Sequence, residues 1–297
     1  MKKQEGSKSS AIKIAADILK KGGIVIFPTD TVYGIGSISH EKESISKIYQ
    51  IKSRPKNLPL PVLIADAKQL EQLAIVTPLA KRLAGRYWPG GLTIVLKLKT
   101  KKQSLGFRIP DSKTTRDLIT MAGAPIIGTS ANLHGRPSVK TSKELDQEIV
   151  SKVDYVLEGE CKGGVESTVI DLTSKTPKVI RQGIVKVKSF TLQIETVERE
   201  KVKVELKDNF SFKKYQLTVT QQTGSQALIP AIIKIAKNNK FKIAEIDAIN
   251  VNNGPGSFTG TRVGVAVANA LGYALAIPVN GEIGKITLPI YEKSKFD

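Results

Sequence analysis

Five short segments of the chain carry residue types suited to holding anions. Pro28-Thr29-Asp30-Thr31-Val32-Tyr33-Gly34 offers hydroxyls and backbone amides, and Lys52-Ser53-Arg54-Pro55 sets a mobile cation beside a rigid guanidinium fork. Arg108-Ile109-Pro110-Asp111 again fixes an arginine beside a proline. Thr129-Ser130-Ala131-Asn132 adds hydroxyls and an amide, and Glu166-Ser167-Thr168-Val169-Ile170-Asp171 is followed by Arg181. No His–carboxylate dyad stands near a nucleophile, and no pair of metal ligands has ligand spacing, so the metal set is read as none. This inventory suits positioning and charge stabilisation of a polyphosphate more than covalent catalysis. Read alone, the heptapeptide is equally a Thr/Asp turn, and Lys52 with Arg54 equally an exposed helix end.

Position along the chain favours the chemical reading. Ala11 to Lys21 has helical apolar spacing closed by Gly22-Gly23, and Ile24 to Phe27 then reads as a buried strand. The heptapeptide therefore sits at a strand's C-terminal edge, where α/β sheets bind ligands. Leu73 to Trp88 reads as a helix ended by Pro89-Gly90-Gly91, followed by a strand from Leu92 to Leu98. Further strands are expected at Ala124 to Gly128, Tyr155 to Leu157 and Ser167 to Leu172. This interleaving predicts an α/β domain over residues 1–185.

A second domain is expected over residues 186–297. Thr191 to Leu206 reads as a β-hairpin, Tyr215 to Thr220 and Ala248 to Asn252 as strands, and Ser225 to Asn238 and Thr261 to Leu275 as helices. Between the last strand and the last helix, Asn253-Gly254-Pro255-Gly256-Ser257-Phe258-Thr259-Gly260-Thr261-Arg262-Val263-Gly264 places four glycines at a helix N-terminus. That is a physical recipe for an anion cradle, although the Gly-Lys-Ser/Thr ending of a P-loop is missing.

Composition narrows the class. The chain has 297 residues, 46 Lys+Arg against 27 Asp+Glu, a net charge of +19 and one cysteine, Cys161. A disulfide framework is excluded and a reducing cytoplasm fits. No apolar run reaches membrane-span length, so no membrane partner is expected. The charge fits an anionic partner, nucleic acid or nucleotide, and equally a lysine-rich solvated surface. His40 and His134 lack ligand partners, Cys161 reads as a semi-buried bystander, and Trp88 as the packing of a helix end.

The first set of segments, over about residues 10 to 185, resembles the YrdC/TsaC family of threonylcarbamoyl-AMP synthases, in order and with the family's spacing. The resemblance implies a twisted mixed sheet with flanking helices around a basic cavity. It also implies condensation of L-threonine, bicarbonate and ATP to threonylcarbamoyl-AMP, with diphosphate released and Mg²⁺ assisting. Carried over by position, it implies that Thr31, Arg108, Gly128 and Ser167 hold threonine, with Arg108 on its carboxylate. Arg54, Leu58, Ser104, Ser130, Asn132, Ser138 and Arg181 fall to ATP, and Lys52 with Arg54 to the reacting phosphates. Leu58 stands where the family usually has Lys or Asn, which removes a polar ATP contact.

The glycine-rich segment, with Ile246-Asp247-Ala248-Ile249 before it and Ala276-Ile277-Pro278-Val279 after it, resembles TsaB, a catalytically silent relative of the actin-like ATPases. The likeness extends to Gln226-Ala227-Leu228-Ile229-Pro230. It implies a single actin-like lobe that hydrolyses no ATP and docks the transferase TsaD, with Ala266, Ala268, Ala270 and Gly272 allowing close helix approach. Whether the lobe forms a homodimer and whether tRNA touches this chain stay open. The rival reading is a non-catalytic module of the same fold that binds double-stranded RNA or tRNA.

Overall fold

Ile12, Ala15, Ala16 and Leu19 fall on one helical face, and in the computed structural model that face is buried. The structure describes residues 2–100, 102–174, 176–220 and 227–291. The chain divides into two compact units, Met1–Lys186 and Val187–Asp297.

In the first unit, helix α1 (Lys2–Lys20) leads into β1 (Val25–Phe27), β2 (Gly34–Ile38), α2 (Lys42–Ile51), β3 (Val62–Leu63), α3 (Ala67–Leu73), α4 (Pro78–Tyr87) and β4 (Leu92–Lys97). Next come β5 (Ser104–Arg108), α5 (Lys113–Ala122), β6 (Ile126–Ser130), α6 (Gln147–Val150), β7 (Tyr155–Val156), β8 (Thr168–Asp171) and β9 (Lys178–Arg181). All nine strands form one mixed sheet in the order β7-β1-β2-β6-β3-β5-β4-β8-β9. The β1/β7, β3/β5 and β4/β8 pairs are parallel and the other neighbouring pairs antiparallel. The apolar face of α1 packs with Leu118, Ile119 and Ala122 of α5 over Val25, Phe27, Ile126 and Leu157, forming a core whose burial drives the assembly.

The helix expected from Leu73 to Trp88 is two helices. Thr77 accepts a hydrogen bond from the Ala80 amide and Pro78 takes the first helical position, so a new helix starts there. Ala74 and Ile75 instead join the β4 side, with Ala74 bridging Leu98 and the Ile75 amide donating to Lys97 O. Strands β2, β3, β5 and β9 and helices α2, α5 and α6 are not among the elements expected from the sequence, although Ser112 and Gly123 cap α5 at its two ends.

The second unit contains β10 (Phe190–Glu195), β11 (Lys201–Asp208), β12 (Lys214–Thr220), α7 (Leu228–Asn238), β13 (Ile246–Val251) and α8 (Phe258–Leu275). Its sheet runs β12-β11-β10-β13, with β10/β11 and β11/β12 antiparallel and β10/β13 parallel. The hairpin alternation seen in the sequence puts Leu192, Ile194, Val202, Val204 and Leu206 on one face, which packs with Leu228, Ile232 and Ile235 of α7 and Val265 and Ala268 of α8. Val279 adds a single parallel bridge to Ile249, the start of a fifth sheet position. Ser225 and Gln226, the expected start of α7, lie outside the described residues.

Candidate active site

The loop after β1 is tied down by its own threonine. Thr29 Oγ1 accepts from the amides of Thr31 (3.1 Å) and Val32 (3.2 Å) and donates to Val32 O (2.7 Å), so the heptapeptide is a tight Thr turn. The functional and the turn readings of this segment are thus compatible. Outside the loop, the amides of Gly163 and Gly164 donate to Asp30 O and Thr31 O, and Tyr33 Oη donates to Gly159 O. Tertiary contacts therefore hold the Thr31 side chain in place.

Arg108, at the end of β5, faces this loop and is only 5% exposed. Its Nε donates to Gly90 O (2.9 Å), Nη1 to Thr31 Oγ1 (3.0 Å) and Nη2 to Asp30 Oδ1 (2.6 Å). Three hydrogen bonds leave two of the five guanidinium N–H donors uncommitted. Burial lowers the Arg108 pKa and the Asp30 charge opposes that, and the group remains a cation at neutral pH.

These groups line an open cavity of about 70 Å³ between the first loop and the ends of β4, β6 and β8. Of the residues expected from sequence, it brings together Thr31, Arg108, Gly128, Ser130, Ser167 and Arg181. Ser167 Oγ lies 2.8 Å from Thr93 Oγ1 on the neighbouring β4, and Arg181 Nε and Nη2 donate to Ser167 O at 3.2 and 2.9 Å. Ser138 joins indirectly, donating to Glu166 Oε1 at 2.8 Å. Arg181 forms an ion pair with the same carboxylate.

Five expected residues are placed elsewhere. The Lys52 ammonium does not line the cavity. Only 2% exposed, Lys52 donates to Ser130 O, to Asn132 O (2.5 Å) and to Asn132 Oδ1 (3.4 Å). Lys52 and Asn132 thus brace the end of β6 from behind, because backbone carbonyls have claimed the donors that a phosphate would need. Arg54 turns back on its own loop, donating to Leu58 O (3.2 Å) and Pro59 O (3.4 Å), while its charge is felt at Lys52. Leu58 is exposed. Ser104, at the far end of β5 from Arg108, lines a different cavity with Ile75, Lys97, Thr100 and Gln103.

Burial pulls the Lys52 amine down to about 8, with Arg54 adding to the fall and Glu166 opposing it. Folding therefore releases this proton early. Between about pH 8 and the ordinary 10.5, the unfolded chain holds a proton that the folded chain has lost. The contribution is fully present above 10.5 and lost as pH falls through 8. It amounts to about 3 kcal/mol. We expect Lys52→Met to flatten that part of the stability profile, read as the difference between wild-type and variant urea midpoints at pH 8 and pH 10.

Sequence reasoning passed over Asp30, Glu166 and Thr93. The two carboxylates lie inside quoted motifs, but nothing local says they face arginines 78 and 15 residues away. Thr93 reaches Ser167 across 74 residues through the β4/β8 pairing. Cys161 is buried beside the same loop, and burial raises its thiol to about 11, with a Thr29 backbone hydrogen bond opposing, so it is no activated nucleophile.

The glycines in the glycine-rich turn of the second unit serve close backbone packing. A Cβ on Gly260 would lie 2.1 Å from Thr196 O, one on Gly264 2.1 Å from Thr196 Oγ1, and one on Gly256 2.5 Å from Val197 Cβ. The glycines let α8 and the turn before it press onto the chain leaving β10. Ser257 caps the helix at the Gly260 amide, and the Ser257 amide donates to Val197 O. The small residues of α8 divide between two faces. Ala268 and Gly272 are buried against the unit's own core, whereas Ala266 and Ala270 are exposed with Phe258, Val263 and Tyr273.

Residues 17–183 match the family profile Sua5/YciO/YrdC, described as "Telomere recombination", over more than half of the chain. The chain belongs to the Sua5/YciO/YrdC family. Residues 218–282 match a second profile, described as tRNA N6-adenosine threonylcarbamoyltransferase (TsaD). The chain is 38% identical over 184 residues to a putative threonylcarbamoyl-AMP synthase of Methanocaldococcus jannaschii, covering 58% of this chain and 87% of that one. It is 37% identical over 182 residues to the threonylcarbamoyl-AMP synthase of Pyrococcus abyssi, with 58% of this chain matched but only 54% of the relative. The chain thus spans about half the length of that Sua5/YciO/YrdC relative.

A solved structure of a P. abyssi Sua5 double variant superposes with a TM-score of 0.55 at 37% identity, over 58% of this chain and 56% of that one. P. abyssi Sua5 complexed with L-threonine has a TM-score of 0.57 and covers 90% of this chain and 87% of that one, at 23% identity, a likeness of fold. The mixed α/β architecture with a twisted sheet is that of the Sua5/YciO/YrdC family. Among the described residues, no helix is long and apolar enough to cross a membrane.

Proposed function

We propose that the first unit, residues 1–185, is an L-threonylcarbamoyladenylate synthase. The observation that carries this reading is the buried Arg108 at the cavity floor, with two N–H donors uncommitted and a second arginine, Arg181, lining the same cavity. An amino-acid carboxylate matches that pair of donors, and the Thr31, Thr93 and Ser167 hydroxyls supply short-range polar contacts. The amine of threonine attacks bicarbonate carbon with loss of water, giving the carbamate. A carbamate oxygen then attacks the α-phosphorus of ATP and diphosphate leaves. The protein's part is to hold the two anions close and meet the charge that develops, with Arg181, Ser130 and Ser138 on the nucleotide.

Both carboxylates of the site, Asp30 and Glu166, are already paired with arginines, and among the described residues no group of three or more His, Cys, Asp or Glu could hold a metal. We therefore assign Mg²⁺ to the ATP phosphates, as substrate-borne metal rather than a protein cage.

Residues 186–297 are read as a TsaB-like lobe that hydrolyses no ATP and docks a TsaD-like transferase. The profile match over residues 218–282 supports it. Tethering would keep the synthase near the consumer of its labile product. The single cysteine suits a cytoplasmic setting.

The test mixes the full chain with ATP, Mg²⁺, L-threonine and bicarbonate and looks for threonylcarbamoyl-AMP by mass spectrometry. Threonine-dependent product is the expected result. Diphosphate release that ignores threonine, with no adduct, would sink the proposal.

A further inference from the structure

Among the described residues, Glu166 is the one acidic side chain lining the cavity, and its hydrogen-bonding partners Ser130, Ser138 and Arg181 are groups that the proposed function gives to the nucleotide. Oε1 accepts from Ser138 Oγ at 2.8 Å, and Oε2 accepts from Arg181 Nη1. The Ser130 hydroxyl and the Lys52 charge also act on the carboxylate. Its backbone is fixed independently, with Ile184 N donating to Glu166 O at 2.9 Å, so the chain can stay in place while the side chain swings.

We infer that Glu166 is an internal counter-anion, seated on the donors that an ATP phosphate would use and displaced when the nucleotide binds. The inference rests on the proposed function, for it takes Ser130, Ser138 and Arg181 as nucleotide ligands. A carboxylate spans a hydroxyl and a guanidinium much as two phosphate oxygens would. While seated, it keeps Arg181 oriented and neutralised in an otherwise strongly cationic site. An incoming ligand must bring more than one negative charge to displace it profitably, so the device favours polyphosphates over singly charged anions. Burial works to raise the Glu166 pKa, but Arg181 and the serine hydroxyls outweigh it and the net direction is down. The carboxylate therefore competes as an anion throughout the neutral range.

The test is calorimetric titration of the full chain with the β,γ-imido analogue of ATP, with and without Mg²⁺, comparing wild type, Glu166→Gln and Glu166→Ala. Glutamine keeps the shape and an acceptor but removes the charge. We expect about tenfold tighter binding by Glu166→Gln under both metal conditions. Glu166→Ala should also bind more tightly than wild type, and threonine affinity should be unchanged. Equal or weaker binding by Glu166→Gln, while the wild type binds the analogue, overturns the counter-anion role and leaves the functional reading standing. Weakening confined to the Mg²⁺ arm would make Glu166 a metal-facing ligand instead. If no variant binds the analogue, the inference and the functional reading fall together. Circular dichroism melts of both variants establish that each is folded.

Discussion

Arg108→Ala should abolish threonine-dependent product, with kcat/KM for threonine falling by about 10³-fold, while binding of the imido analogue of ATP changes little. The size follows from what is removed. A nearly buried guanidinium with two uncommitted donors is worth about 3–5 kcal/mol to an anion it pairs, and that converts to a factor of this order. The same substitution strands Asp30, whose side chain is only 12% exposed, without its counter-charge. Stability should therefore drop as well, and loss of activity alone would be ambiguous. The double variant Arg108→Ala/Asp30→Asn resolves the ambiguity. Neutralising the stranded carboxylate should recover most of the lost thermal stability and none of the threonine-dependent rate. Arg108→Lys, which keeps the charge and loses the fork, should fall between wild type and alanine. Wild-type-like threonine dependence in Arg108→Ala would remove the carboxylate assignment.

Gly36→Ala should destabilise the first unit by about 3 kcal/mol or more, a larger effect than its single methyl suggests. Gly36 lies in β2 opposite Gly128 of β6, in the interior of the nine-stranded sheet. A Cβ there would sit 2.1 Å from Ile127 O, 2.9 Å from Ile126 Cγ2 and 3.1 Å from Phe27 Cε1. The first contact is with backbone, which cannot rotate away, so β2 and β6 must separate. Because β6 carries Gly128 and Ser130, opening that pair should also disturb the cavity, seen as a weaker response to both substrates. Gly85→Ala is the matched control, since a Cβ at Gly85 in α4 meets nothing within 4 Å. That change should be neutral or stabilising by about 0.5–1 kcal/mol through helix propensity. Thermal melts of the two variants against wild type decide the matter, and equal melting would refute the close-packing argument.

Much of the site was legible because its motifs are local. Thr31, Arg108, Ser130, Ser167 and Arg181 occur in segments whose residue types declare anion binding, and strand ends deliver them to one cavity. Lys52 and Ser104 lie outside the cavity lining for reasons their own segments do not show. A lysine beside an arginine reads as a phosphate ligand, but the tertiary fold turns its ammonium onto carbonyls 78 and 80 residues away. Ser104 shares a strand with Arg108, but four residues along an extended chain carry it to the opposite end of β5. The glycines of α8 posed the same problem in reverse. Glycines at a helix start suggest an anion, whereas here they also make room for the chain leaving β10.

The sequence by itself determined the amphipathic helices, the alternating strands of the second unit and the residue types of the anion site. These depend on periodicity and side-chain chemistry within a few residues. Only the tertiary structure decided which cations are available and which are already spent. Arg108 keeps two donors uncommitted and is held by Asp30, Lys52 is committed to the end of β6, and Arg181 is covered by Glu166. The physical reason is that a charged group's availability depends on the partners that surround it after folding. Those partners lie on strands distant in the chain, where local pattern carries no information about contact.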